Sequence, residues 1–247
     1  MDISSYVLLS QEQALRRRLD VVSNNLANSG TVGFKREQAV FHEYVETSPD
    51  AVVEDARNTS FVLDYGTVQD LTQGGFQSTG NALDVMIEGP GYLSVEGPDG
   101  TPLYTRAGFV RVLSTGELGT AGGQRLLGEG DQPISIPPDQ VNQISVGADG
   151  TVMGPQGSLG RLTVTRFAND GGLEERGNGL LAGTGGTVLP AEETRLKAGG
   201  VEGSNVQPVA ETTAMVEILR SYQNSARMSQ DLGDMRQRAI DRLGRVN

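Results

Sequence analysis

Glycine and proline are so unevenly spread along the 247 residues that long helices fit only at the two ends of the chain. Of 34 glycines, 30 lie between residues 37 and 203, and of ten prolines only Pro208 falls outside that span. Glycine costs a helix interior about 1 kcal/mol and proline about 3. The centre is therefore forced into strands and turns, while both ends are almost free of breakers.

Each end carries an apolar stripe at helical spacing. Leu8, Leu15, Leu19, Val22 and Leu26 recur seven, four, three and four residues apart, predicting a helix from Ser5 to Asn28 that stops at Asn28-Ser29-Gly30. Met215, Ile218, Leu219, Tyr222, Leu232, Met235 and Leu243 do the same from Pro208 onward, with Ser225 and Ser229 as weak points. At 1.5 Å per residue these rods would be about 35 and 55 Å long. Two helices of unequal length cannot fully cover each other, so neighbouring subunits are the expected cover, and the stripe residues are the candidate assembly interface.

The centre reads as antiparallel β. Val85–Ile87, Tyr92–Val95, Leu103–Thr105 and Phe109–Leu113 are short apolar runs separated by turns such as Gly97-Pro98-Asp99-Gly100, and Leu159–Phe167 alternates as one further strand. The fold class expected is α+β: long amphipathic terminal helices forming a discontinuous helical core around a β-rich, hairpin-rich middle. The expected divisions are 1–36, an extended or β arm over 37–80, a β body over 81–203, and 204–247. Charge follows the same boundaries. The chain carries a net −11, with the body strongly acidic and the two ends slightly basic, which disfavours nucleic acid as a partner.

Chemistry is scarce. There is no cysteine or tryptophan and one histidine, His42, so thiol catalysis and Cys/His zinc sites are excluded. Gly89-Pro90-Gly91 fails the dinucleotide pattern because Ser94 holds the third glycine position. The acid pairs Glu54-Asp55, Glu174-Glu175 and Glu192-Glu193 read as solvated, as does Arg16-Arg17-Arg18. No catalytic, cofactor or metal site is expected. No apolar run approaches the ~20 residues of a membrane span, and the opening Met1-Asp2-Ile3 lacks the basic start of a secretory signal. A remote alternative, a secreted hydrolase or glycan-binding β domain with helical arms, rests only on the acidic hairpin-rich centre.

Three ordered motifs resemble the bacterial flagellar rod and hook proteins. The first runs Leu19-Asp20-Val21-Val22-Ser23-Asn24-Asn25-Leu26-Ala27-Asn28, then Thr31 and Gly33-Phe34-Lys35. The second is Gly91-Tyr92-Leu93 with Tyr104-Thr105-Arg106-Ala107-Gly108, and the third is Gly203-Ser204-Asn205-Val206 with Ile218-Leu219-Arg220-Ser221-Tyr222. Length, Ser5-Tyr6-Val7 and Thr79-Gly80-Asn81-Ala82-Leu83-Asp84 are most similar to the proximal rod branch, with the distal rod paralogue as the alternative.

The resemblance implies a non-enzymatic subunit of the basal-body rod in the periplasm. It would assemble with itself and other rod proteins into a hollow, torque-transmitting shaft, reached through the flagellar type III export apparatus without membrane insertion. The plain physical readings of the same residues are helix termination and backbone capping for Asn24, Asn25 and Asn28, and turn shaping for Thr31 and Gly33. Phe34 would anchor a local core, and Ser204 or Asn205 would cap the second helix.

Overall fold

Terminal residues free of breakers do form helices in the computed structural model, which describes residues 3–47, 58–141 and 143–244. Helix α1 spans Ile3–Ala27 and α2 spans Pro208–Leu243. Proline opens α2, where its missing N–H is harmless. Serine and threonine do not break either helix. Several of their hydroxyls bond back one turn, Ser23 to the Leu19 carbonyl at 2.8 Å, Thr212 to that of Pro208 at 2.7 Å and Ser221 to that of Glu217 at 3.0 Å.

The chain divides into two compact units. Unit 1 comprises Met1–Ala27, Glu37–Asp70 and Gln207–Asn247, and unit 2 comprises Asn28–Arg36 and Leu71–Val206. Unit 1 holds both helices and an antiparallel ribbon of β1 (Glu37–Thr47) and β2 (Asn58–Gln69), with a bulge between Val40 and Phe41. Leu15 and Val22 of α1 close on Ile218 of α2, flanked by Leu19, Ala214 and Met215. Arg17 pairs with Asp64 of the ribbon at 3.2 Å. His42 lies edge-on to Tyr65, ring centres 4.4 Å apart, both of them exposed.

Unit 2 is built from short strands: β3 (Phe76–Ser78), β4 (Val85–Ile87), β5 (Tyr92–Glu96), β6 (Pro102–Thr105), β7 (Val110–Val112), β8 (Leu118–Thr120), β9 (Ser145–Val146), β10 (Thr151–Gly154), β11 (Gly157–Arg161), β12 (Val164–Arg166), β13 (Glu174–Gly177), β14 (Leu180–Ala182), β15 (Thr187–Val188), β16 (Leu196–Ala198) and β17 (Gly200–Glu202). Six of them form one antiparallel sheet in the order β13-β14-β6-β5-β12-β15. The last strands return to the first, β16 on β4 and β17 on β3. Val95, Leu118, Leu126, Val152 and Leu162 have no exposed surface and centre the core. Each such side chain stabilises the unit by about 1.5–3 kcal/mol.

Two-residue turns explain several joints. Asn178 and Gly179 link β13 to β14 with φ of +55° and +70°, the signs a hairpin turn of the primed type requires. One expectation is corrected. Leu159–Phe167 is not one strand, because β11 pairs with β10 whereas β12 pairs with β5 and β15. The switch falls at Leu162, whose N–H bonds the Gly150 carbonyl at 2.9 Å, and Thr163, whose hydroxyl bonds that of Leu127 at 2.9 Å.

Candidate assembly site

The three motifs contribute to two clusters, one in each unit. In unit 2, β17 ends on Glu202, a carboxylate only 1% exposed. It meets one cation from each of the first two motifs. Lys35 Nζ lies 2.6 Å from its Oε1, and Arg106 Nε lies 2.7 Å from its Oε2. The Gly74 N–H also donates to Oε1 at 2.8 Å. Arg106 also donates through Nη1 to the Gly91 carbonyl at 2.6 Å and through Nη2 to the Gly89 carbonyl at 2.7 Å. Burial alone would raise the Glu202 carboxyl; the charge of Arg106 and the hydrogen bonds from Lys35, Arg106 and Gly74 reverse this and hold it below the ordinary range.

Around this triad the backbone is drawn tight. The Gly33 N–H donates to the Glu202 carbonyl at 2.8 Å. Gly33 has φ +72°, and a Cβ there would sit 2.7 Å from the Arg106 carbonyl carbon. Only glycine satisfies both demands. Beside the triad, Lys35, Gln73, Tyr92, Arg106 and Asp170 line a cleft of about 230 Å³, smaller than typical ligand pockets. Burial pushes the Tyr92 phenol up to about 12, with the Asp170 charge adding to the rise and Arg106 opposing it. Asp170 is likewise raised by burial against the pull of Arg106.

The remaining motif residues of unit 2 are structural in distinct ways. Tyr104 packs in an aromatic cluster with Tyr92, Phe167 and Leu181. Thr105 donates to the Gly179 carbonyl at 2.9 Å and accepts from the Ala107 N–H at 3.1 Å. Gly108 is buried against the backbone of Val85. Asp84 accepts from Thr79 at 2.6 Å and Asn81 at 3.0 Å, which folds the loop before β4. Thr31 bonds Asn28 within one turn, and Phe34 is half-buried. Val206 is buried. Neither Ser204 nor Asn205 caps α2: helix α2 begins after Gln207 with no side-chain cap, Ser204 accepts from the Val206 N–H at 3.2 Å, and the Asn205 amide is engaged with Arg36 and Thr72.

In unit 1, Asn25 is fully buried and does more than end a helix. Its Oδ1 accepts from the Glu37 N–H and its Nδ2 donates to the Glu37 carbonyl, both at 2.8 Å, and Nδ2 also reaches Glu211 of α2 at 3.4 Å. Asn24 is exposed and lies 3.5 Å from the Glu37 carboxylate. Asn25→Ala is expected to lower unfolding stability by about 1–3 kcal/mol, because the buried carboxylate of Glu211 loses a donor and the start of the ribbon loses both bonds. Chemical denaturation followed by circular dichroism measures it.

The stripe residues divide by exposure. Leu8, Leu15, Val22 and Ile218 are buried, and Leu19, Leu26, Met215 and Leu232 are half-buried. Leu219, Tyr222, Met235 and Leu243 are exposed. Sequence reasoning missed Glu202, Glu211 and Thr72, which hold buried or cross-linking positions. Among the described residues there is no cluster of metal-ligating side chains and no helix long and apolar enough to cross a membrane. Glu174-Glu175 and Glu192-Glu193 are exposed. Glu54-Asp55 lies outside the described residues.

Comparison with known proteins matches the same three regions. Residues 6–35 match the family described as flagella basal body rod protein, and residues 86–154 match the D1 domain of the flagellar hook protein FlgE/F/G family. Residues 197–242 match the C-terminal family of flagellar basal body rod FlgEFG proteins. The chain is 34% identical to the flagellar basal-body rod protein FlgF of Caulobacter vibrioides over 100% of both chains. It is 30% identical to the FlgF of Mesorhizobium japonicum over 99% of both. It is 32% identical to the flagellar basal-body rod protein FlgG of Bacillus subtilis over 91% of this chain and 93% of that one. With its ends and its centre all matched in order, the chain belongs to the flagellar basal-body rod protein family.

Proposed function

We propose that the chain is a structural, non-enzymatic subunit of the flagellar basal-body rod, assembling with other rod and hook proteins through its terminal helices. The observation that carries this reading is α2. Over 36 residues it buries only Glu211, Ile218 and Ser225, and it leaves Met228, Met235, Ile240 and Leu243 between 55% and 77% exposed. An apolar stripe of that length needs cover. Further copies and neighbouring rod proteins supply it.

In the finer reading, α1 and α2 form a discontinuous helical core that lines a hollow, torque-bearing shaft in the periplasm. Subunits arrive through the flagellar type III export apparatus. Proximal position is supported by the end-to-end match of the FlgF-named relatives. Distal position, supported by the FlgG-named relatives, is the second reading.

A double substitution, Met235→Asp with Ile240→Asp, tests the interface. Both side chains are exposed in the single chain, so unfolding of the purified protein should change by no more than about 0.5 kcal/mol. Incorporation into basal bodies and swimming should be lost. Normal rods and motility would overturn the proposal. Imaging basal bodies from a deletion strain then decides position: a segment missing at the base supports the proximal reading, one missing at the outer end the distal.

A further inference from the structure

The chain passes between its two units four times, at residues 27/28, 36/37, 70/71 and 206/207. Three of these passages are tied, on the unit 2 side, by one side chain. Asn205 lies one residue before the 206/207 passage. Its Oδ1 accepts from the N–H of Arg36, the last unit 2 residue before the second passage, at 2.7 Å. Its Nδ2 donates to the carbonyl of Thr72 at 3.0 Å and to the Thr72 hydroxyl at 3.1 Å, one residue beyond the third passage. Lys35 reinforces the knot by donating to the same Thr72 carbonyl at 2.8 Å. The next residues inward continue the pattern, the Gly203 N–H donating to the Gly75 carbonyl at 2.8 Å.

We propose that Asn205 is a positioning residue that clasps three of the four chain passages, so that load carried along the backbone between the units is shared by three strands. This rests on the rod reading above. The physical argument concerns the order in which bonds break. A strand pulled alone from a folded body loses its terminal hydrogen bonds one after another, each with a small net contribution. Strands tied side by side at their exits must give way together, which demands the simultaneous loss of several.

Two plainer roles do not fit Asn205. It does not cap α2, which starts after Gln207 without a side-chain cap. Nor is it a core residue, since it is only half-buried. The geometry uses both halves of the amide, an acceptor toward Arg36 and a donor toward Thr72. Aspartate keeps the first and loses the second.

Hydrogen exchange on the full-length monomer, in wild type, Asn205→Ala and Asn205→Asp, tests the clasp. In Asn205→Ala the amide of Arg36 should exchange faster by about tenfold or more, with a rise through 71–75, while the core amides of Leu118, Leu126 and Leu162 stay at wild-type rates. In Asn205→Asp the rise should be larger around Thr72 than at Arg36. Unchanged exchange at Arg36 in Asn205→Ala, or an equal rise at every unit 2 amide, overturns the clasp.

The load-sharing role is read in cells complemented with each variant. Asn205→Ala should rotate normally when swimming in dilute medium and lose speed or stall in tethered cells under high load. Wild-type rotation under high load, despite loosened exits, overturns load sharing. If the wild-type gene itself fails to restore rods to a deletion strain, the rod reading fails, and load sharing with it. The exchange pattern still decides whether the exits are clasped.

Discussion

Glu202→Gln is expected to destabilise unit 2 by about 3–5 kcal/mol, since it leaves the buried cations Lys35 and Arg106 without their shared counter-charge. The loss should appear as a lower urea midpoint for the β unit, read by near-ultraviolet circular dichroism of its tyrosines. It should also carry a pH signature. The folded carboxyl titrates below its ordinary value of 4.5, so the folded state binds this proton less readily than the unfolded chain does. The stabilisation is therefore complete above that value and is lost as pH falls through the lower, folded one. Asp170, raised by burial, acts with the opposite sign. The difference between wild type and Glu202→Gln should shrink below pH 4.5. A difference that is flat with pH would refute the triad as its source.

The second large effect is steric. Gly108→Ala should cost about 3 kcal/mol, because the added Cβ would collide with the Val85 carbonyl, a backbone atom that cannot turn aside. The same contact is the place where the Val85 N–H bonds the Gly108 carbonyl at 3.0 Å, so relief at one end breaks the other. Gly172→Ala is the control. Nothing lies within 4 Å of its Cβ position and its φ is outside the left-handed region, so its effect should stay within about 0.5 kcal/mol. Thermal unfolding of the two variants side by side measures the contrast.

Helices and strands were legible in the sequence to different depths. The terminal helices were plain, because the breaker-free segments and apolar stripes agree with each other. Strands such as Val85–Ile87 and Tyr92–Glu96 were equally plain, bounded by Gly-Pro turns that fix their ends. The change of sheet at Leu162–Thr163 was invisible, because an alternating pattern records which residues face inward and not which neighbour each strand meets. The motif residues were visible as a pattern, but their partners were not. Glu202 passed unnoticed as one acid in an acidic body, although the apolar Val201 before it and the three-residue Gly203-Ser204-Asn205 after it marked a constrained turn. Glu211 lies in the first turn of α2, where a carboxylate is common, and only the Asn25 contact marks it as buried.

The Lys35–Glu202 bond joins residues 167 positions apart. A nascent polypeptide therefore holds both cations long before their shared anion exists, and it must emerge from the ribosome almost to its final helix before the body can be completed. Such distant closure folds slowly. Truncated products ending short of position 202 lack the shared anion and should be cleaved by added protease faster than the full chain.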